Sequence, residues 1–168
     1  LARAKSIALI GMPGAGKSTL GVQLAKATAR DFVDTDVLIQ LREGKTLQQI
    51  IEQSDYLALR QIEEDILLSL KHSNHVIATG GSAVYSDKGM RALRTWGPVL
   101  FLSVPLETLR QRIHDYDQRG IARHPNQSFA ALFQERNALY RRYADSVIDC
   151  DDKSQQQLLD ELLQRCRE

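Results

Sequence analysis

The sequence predicts an α/β fold: a three-layer αβα arrangement built on a five-stranded parallel sheet. Three observations carry that prediction. Short apolar runs alternate with longer amphipathic stretches over all 168 residues. Each apolar run is separated from the next by helical sequence, which implies parallel strands covered on both faces. The first run ends at once in a glycine-rich turn that opens a helix, the arrangement of a ligand crevice at the carboxyl ends of strands.

The elements follow in order. Residues 6–10 form a buried strand and 17–28 the first helix. Phe32 and Val33 mark a second, short strand. Residues 37–53 read as two short helices broken near Gly44. Residues 56–71 read as one longer helix, because Leu59, Ile62, Ile66 and Leu70 recur near a 3.6-residue period. A strand over 75–78 runs into the turn Thr79-Gly80-Gly81-Ser82. Residues 86–95 are helical and 99–103 form a buried strand. Pro105 opens the next helix, where its missing N–H costs nothing. The polar stretch 115–128 contains Gly120 and Pro125 and reads as a mobile loop. A helix over 128–143, a last strand over 146–149 and a closing helix over 154–165 complete the chain.

Composition narrows the class of function. Hydrophobic residues make up 43% of the chain, enough for a continuous core in one domain spanning 1–168. Lys plus Arg is 22 and Asp plus Glu is 21, a formal charge of +1. No field of one sign is present to attract nucleic acid or an anionic membrane. Cys150 and Cys166 lie outside any paired spacing, so two idle thiols in a reducing cytoplasm are expected. No apolar run approaches the ~20 residues of a membrane span, and Ile7–Ile10 is too short for a signal-peptide core.

The chemistry begins at residues 11–18, Gly-Met-Pro-Gly-Ala-Gly-Lys-Ser. This is a complete Walker A pattern, with a strand before it and a helix after it. Gly11, Gly14 and Gly16 let backbone N–H groups turn inward around phosphates, with Ala15 and Thr19 in the same wrap. Lys17 brings a positive charge to the β- and γ-phosphates, and the Ser18 hydroxyl is placed to hold Mg²⁺. The helix that starts near Lys17 aims its positive end at the same point. ATP is the expected co-substrate.

Rival P-loop classes lack their signatures. A guanine-reading Asn-Lys-x-Asp is absent, and Asp117-Gln118-Arg119-Gly120 follows a helix rather than a strand. The run Val99-Leu100-Phe101-Leu102-Ser103 does not end in the Asp of a motor-type ATPase. The acid must come from Asp34-Thr35-Asp36, just past the second strand. Two carboxylates there can split roles, one toward Mg²⁺ and one toward an alcohol proton. The plainer reading makes Asp36 an N-cap for the following helix.

Together these residues resemble the shikimate kinase family, over nearly the whole chain. The landmarks are the Gly-x-x-Gly-x-Gly-Lys-Ser loop, Asp34-Thr35-Asp36, Arg60 with Ile62-Glu63-Glu64, Gly80-Gly81, and Glu135-Arg136 followed by Leu139-Tyr140. The resemblance implies a P-loop kinase fold with a mobile lid over about 113–127 and a substrate-binding helical region over about 36–71. It implies ATP- and Mg²⁺-dependent phosphorylation of the 3-hydroxyl of shikimate, a small acidic polyol, by a cytoplasmic enzyme expected to be a monomer. Residue by residue, it makes Ser18 and Asp34 the metal-side ligands. Asp36 would orient or deprotonate the acceptor hydroxyl. Arg60 and Arg136 would clamp the carboxylate, with Glu63 holding Arg60. Gly80 and Gly81 would let the backbone approach the substrate. Arg112 would flank the adenine, and Arg119 would be the lid arginine acting in catalysis with Lys17 and Asp36. Arg123 lies nearer a proline, Pro125, and is the alternative lid residue.

The chain departs from the family pattern mostly on the acceptor side. The family's third glycine is Ser82, the aromatic before the first clamp arginine is Leu59, and an earlier Gly-Glu is Ser54-Asp55. The lid lacks an Arg-Pro-apolar sequence. A kinase of the same fold acting on another small hydroxy acid, such as a sugar acid, is therefore the alternative. A non-catalytic nucleotide-binding module is the third reading, weakened by the retention of Lys17, Ser18, Asp34 and Asp36 together.

Overall fold

The computed structural model describes residues 5–114 and 120–168. Five parallel strands make one sheet: β1 (Ile7–Ile10), β2 (Asp31–Asp34), β3 (His75–Ala78), β4 (Val99–Ser103) and β5 (Ser146–Asp149), in the spatial order β2-β3-β1-β4-β5. Strand β1 is central. Leu9 is level with Ala78 on one side and Leu100 on the other, and Asp34 is level with Ala78. The ends of β1, β2 and β3 therefore deliver their following loops to one place. All four residues of β1 are buried, as are Val76–Ala78 and Val99–Leu102. Covered on both faces, these strands read as unbroken apolar runs instead of alternating ones.

Helices α1 (Lys17–Thr28) and α8 (Gln155–Arg165) pack together on one side of the sheet. Helices α4 (Tyr56–Ser69), α5 (Asp87–Trp96) and α7 (Phe129–Tyr143) lie on the other, joined by a single 3₁₀ turn at Ala83–Tyr85. The short α2 (Thr35–Glu43), α3 (Leu47–Gln53) and α6 (Leu106–Arg112) complete the set. Their starts are written in the sequence: Thr46 and Gln49 form a reciprocal capping box on α3, Asp55 caps α4 and Ser128 caps α7.

Several expected boundaries shift: α2 begins at Thr35 instead of residue 37, because Asp34 caps it, and two more shift for physical reasons. Helix α4 ends at Ser69 instead of residue 71, because Leu70 turns to an extended conformation and buries its side chain in the main core. Pro105 stands just outside α6 as its N-cap, with Leu106 the first helical residue. A second, smaller core holds α2, α3 and α4 together through Ile39, Ile50, Leu59 and Ile66. Ala122, from the segment predicted as lid, is buried in that same cluster. Residues 120–122 are buried and pack onto the helical region, whereas 124–126 are exposed. Gly120 N–H donates to Gln48 Oε1 at 2.7 Å and takes φ +68, with Leu47 and Gln48 filling the space where a side chain would stand.

Candidate active site

Strand β1 feeds the loop 11–18 at the centre of the sheet. Gly14 (φ 82) and Gly16 (φ 96) hold the left-handed backbone that wraps the loop, and Gly16 is the N-cap of α1. No side chain caps α1, so its first N–H groups are left for a ligand. Lys17 Nζ donates to Gly11 O at 2.5 Å and to Met12 O at 3.0 Å, folded over its own loop. Burial pushes its ammonium down to about 8; Asp36 opposes this, Arg136 adds to it, and Glu63 and Asp34 oppose it more weakly. Arg112 Nη1 donates to Gly14 O at 3.0 Å, beside the loop.

The acidic pair divides at the start of α2. Asp34 Oδ2 accepts from Ser18 Oγ at 2.6 Å, and its Oδ1 accepts from Asp36 N–H at 2.9 Å. Asp34, not Asp36, is therefore the helix N-cap. Asp36 stands in the first helical turn, and its carboxylate lines the cavity below the P-loop. Burial raises its proton affinity; Lys17 and Arg136 pull it back, and Asp34 pushes it further up. Thr35, between them, is buried, and its hydroxyl accepts from Gly80 N–H at 2.9 Å. That bond ties the turn after β3 to the start of α2.

Gly80 and Gly81 are required by close approach. A side chain at Gly80 would collide with Glu63 Oε1 and Asp36 Oδ1, and one at Gly81 would come within 2.6 Å of Arg136 Nη1. Arg136, on α7, is 1% exposed. Its Nη2 donates to Ala122 O at 2.5 Å, and its Nε has no partner. Tyr140, one turn later, donates to Gly81 O at 2.6 Å and fixes the glycine pair against α7. The resulting cavity has a volume of about 350 Å³. It is lined by loop 13–19, by Asp36, Glu63, Thr79, Gly81, Ser82 and Arg136, and by Leu47, Leu59 and residues 120–122.

Arg60 lies outside this cavity. Its guanidinium stacks on Tyr85, 3.5 Å from the ring centroid, and lies 4.9 Å from that of Tyr56. No hydrogen bond or ion pair joins it to Glu63, whose Oε2 is instead taken by the Ser82 hydroxyl. Tyr85 in turn donates to Glu135 Oε1 at 2.6 Å. Arg123 Nη1 donates to Gln127 O at 3.1 Å. Arg119 falls outside the described residues.

The family model described as shikimate kinase matches residues 13–167. A shikimate kinase of Persephonella marina is 33% identical over 164 residues, covering 97% of this chain and 99% of the relative. This chain belongs to the shikimate kinase family. A shikimate kinase 2 of an Enterobacter species is 32% identical over 155 residues, 89% of each chain. In three dimensions the chain superposes on a shikimate kinase of Acinetobacter baumannii, solved in complex with shikimate. The TM-score is 0.87 at 31% identity, over 96% of this chain and 92% of the other.

Of the residues singled out by shikimate kinase resemblance, Lys17, Ser18, Asp36, Gly81 and Arg136 line one cavity. Asp34 and Gly80 touch them from behind. Sequence reading did not single out Thr35 or Tyr85, and it noted Ser82 only as a departure from the family pattern. Thr35 is the middle residue of the Asp-Thr-Asp motif, where a buried hydroxyl is a readable signal. Tyr85 sits in a three-residue 3₁₀ turn with no periodicity to mark it.

Proposed function

We propose that this protein transfers the γ-phosphoryl group of ATP to the 3-hydroxyl of shikimate, forming shikimate 3-phosphate, as a cytoplasmic step toward aromatic amino acids. The observation that carries the reading is the convergence of Lys17, Asp36 and buried Arg136 on one small cavity under the P-loop. The N–H groups of loop 11–19 and Lys17 hold the nucleotide phosphates, and Arg112 and Arg119 act on the nucleotide side. Arg136 binds the acceptor carboxylate, with a charge-assisted hydrogen bond from a desolvated guanidinium. Asp36 accepts the proton of the acceptor hydroxyl as its oxygen bonds to the γ-phosphorus and the bridge to ADP breaks. Leu47, Leu59 and Ile121 keep water away from the γ-phosphate.

The residues present suit Mg²⁺. Ser18 Oγ and Asp34 Oδ2 already meet at 2.6 Å, and no cluster of three or more His, Cys, Asp or Glu able to hold a metal occurs among the described residues. A donor set this sparse matches an ion that keeps its waters and leans on phosphate oxygens. Bound there, it neutralises charge on the β- and γ-phosphates. No helix among the described residues is long and apolar enough to cross a membrane. In this reading the chain acts as a monomer.

A coupled ADP-release assay with shikimate, gluconate and nucleoside monophosphates tests the proposal. Stimulation by shikimate alone is expected. Arg60 stacked on Tyr85 favours one second reading, a different small hydroxy acid held by a single arginine. Strong turnover of gluconate with none of shikimate would establish that reading and sink the first.

A further inference from the structure

Arg60 stands beside the acceptor cavity without entering it. Its neighbours on α4, Leu59 and Glu63, both line that cavity. The cleft that holds Arg60 also contains Glu63 and Ser82, so the two spaces share a wall. The guanidinium itself is turned onto the face of Tyr85, 3.5 Å from the ring centroid.

That ring is anchored. Its hydroxyl donates to Glu135 Oε1 at 2.6 Å, and Gln127 Nε2 donates to Glu135 Oε2 at 2.9 Å. Tyr56 adds a second ring 4.9 Å from the same guanidinium. Arg60 makes no hydrogen bond or ion pair among the described residues, and its buried Nε has no partner. Aromatic faces therefore hold the side chain where it is. A cation–π contact of this kind shifts an equilibrium by roughly 2- to 30-fold, depending on how far the cation is desolvated. Charge works in the same direction. Burial lowers the proton affinity of Arg60; Tyr85 opposes this, and Arg136 lowers it further, so the two guanidiniums repel.

We propose that Tyr85 is a specificity-determining positioning residue: its ring withholds Arg60 from the acceptor cavity and leaves Arg136 as the guanidinium that meets the acceptor's acid group. The inference rests on the reading of the cavity as a site for shikimate. The pair of guanidiniums expected from the sequence is then reduced to one in this chain. A single guanidinium discriminates less steeply than two between an acid and its neutral analogue. Tyr85 acts through Arg60 and does not itself touch the acceptor.

The test measures the KM for shikimate and for its neutral methyl ester, with the full chain supplied with ATP and Mg²⁺. Tyr85→Leu removes the aromatic face. It should lower the KM for shikimate by roughly 2- to 30-fold and leave the KM for the ester and for ATP near the parent values. Adding Arg60→Ala to it should abolish the gain. An unchanged or raised KM for shikimate, or a gain shared equally by the ester, would overturn the inference. Arg60→Ala in the parent gives an independent check should Tyr85→Leu not fold. It should raise the KM for shikimate by no more than about 3-fold; a larger rise would place Arg60 on the acceptor in the parent and overturn the inference. Each of these failures leaves the shikimate reading standing, whereas no turnover of shikimate by the parent would overturn both.

Discussion

Replacing Glu63 by Gln should reverse part of the pH dependence of folding in the ligand-free protein. Burial, with Asp36 adding to it, raises the Glu63 carboxyl from its ordinary 4.5 to about 7, against the opposing pull of Ser82, Arg136 and Lys17. Each pH unit in that interval is worth ~1.4 kcal/mol, so the whole is on the order of 3 kcal/mol. The sign follows from proton counts. Between 4.5 and about 7 the unfolded chain has released this proton and the folded chain has kept it, so stability falls as pH rises through that window and levels off above it. Gln carries no proton to lose. Urea unfolding of parent and variant at several values between about pH 5 and 8.5 should therefore give curves that coincide within about 1 kcal/mol at the acid end. Toward pH 8 they should diverge, the variant being the more stable by on the order of 2–3 kcal/mol. All other groups titrate in both proteins, so the difference isolates this one together with its influence on Asp36. Parallel curves across the range would refute the reasoning, since they would mean that Glu63 has the same proton affinity folded and unfolded.

Other perturbations separate the two ligands. Asp36→Asn should lower turnover by roughly 10²–10⁴-fold with ATP affinity little changed; normal turnover with lost ATP binding, measured by titration calorimetry, would contradict a role at the acceptor hydroxyl. Arg136→Ala should raise the acceptor KM by at least about 10-fold and leave the nucleotide Kd near its parent value, whereas equal losses for both would argue against carboxylate binding. Lys17, held down to about 8 by burial, loses its proton as pH rises past that value. Nucleotide affinity, read by fluorescence titration, should thus weaken from about pH 8 upward in the parent and show no such step in Lys17→Met.

How much of this was legible in the sequence depends on how far apart the cooperating residues lie. The spans of α1, β3, β4 and β5 follow from runs of one character bounded by Gly, Ser or Asp, and the structure reproduces them. The 3₁₀ turn Ala83–Tyr85 has too few residues to show a period. The P-loop is readable because its chemistry is written in consecutive residues. Asp34 as the N-cap of α2 was not, because Asp34 and Asp36 are equally good caps by residue type and only the strand end decides between them. The partners of Arg60 were beyond reach for the same reason. By sequence Glu63 is its natural neighbour on α4, at a spacing worth ~0.2–0.5 kcal/mol. The aromatic face of Tyr85, brought in from another element, is taken instead.

The two halves of the site differ in what holds them, and that difference predicts how each responds to change. The phosphate half is specified locally: left-handed Gly14 and Gly16, the Ala15 N–H bonded to Met12 O at 3.0 Å, and the uncapped start of α1 lie within a few residues of one another. The acceptor half is assembled from α2, α4, the turn after β3 and α7, each part set by a contact with another. Gly80 N–H is held by Thr35, Gly81 O by Tyr140, Glu63 by Ser82, and the 120–122 segment by Arg136 and Gln48. A substitution at Ser82 or Tyr85 therefore alters what Glu63 or Arg60 presents without touching loop 11–18, the proposed nucleotide cradle. On the proposed function, such a substitution would change the choice of alcohol while keeping the phosphoryl donor. Two departures from the family pattern, Ser82 and Leu59, line the cavity beside Asp36 and Arg136, while the Walker A residues are intact.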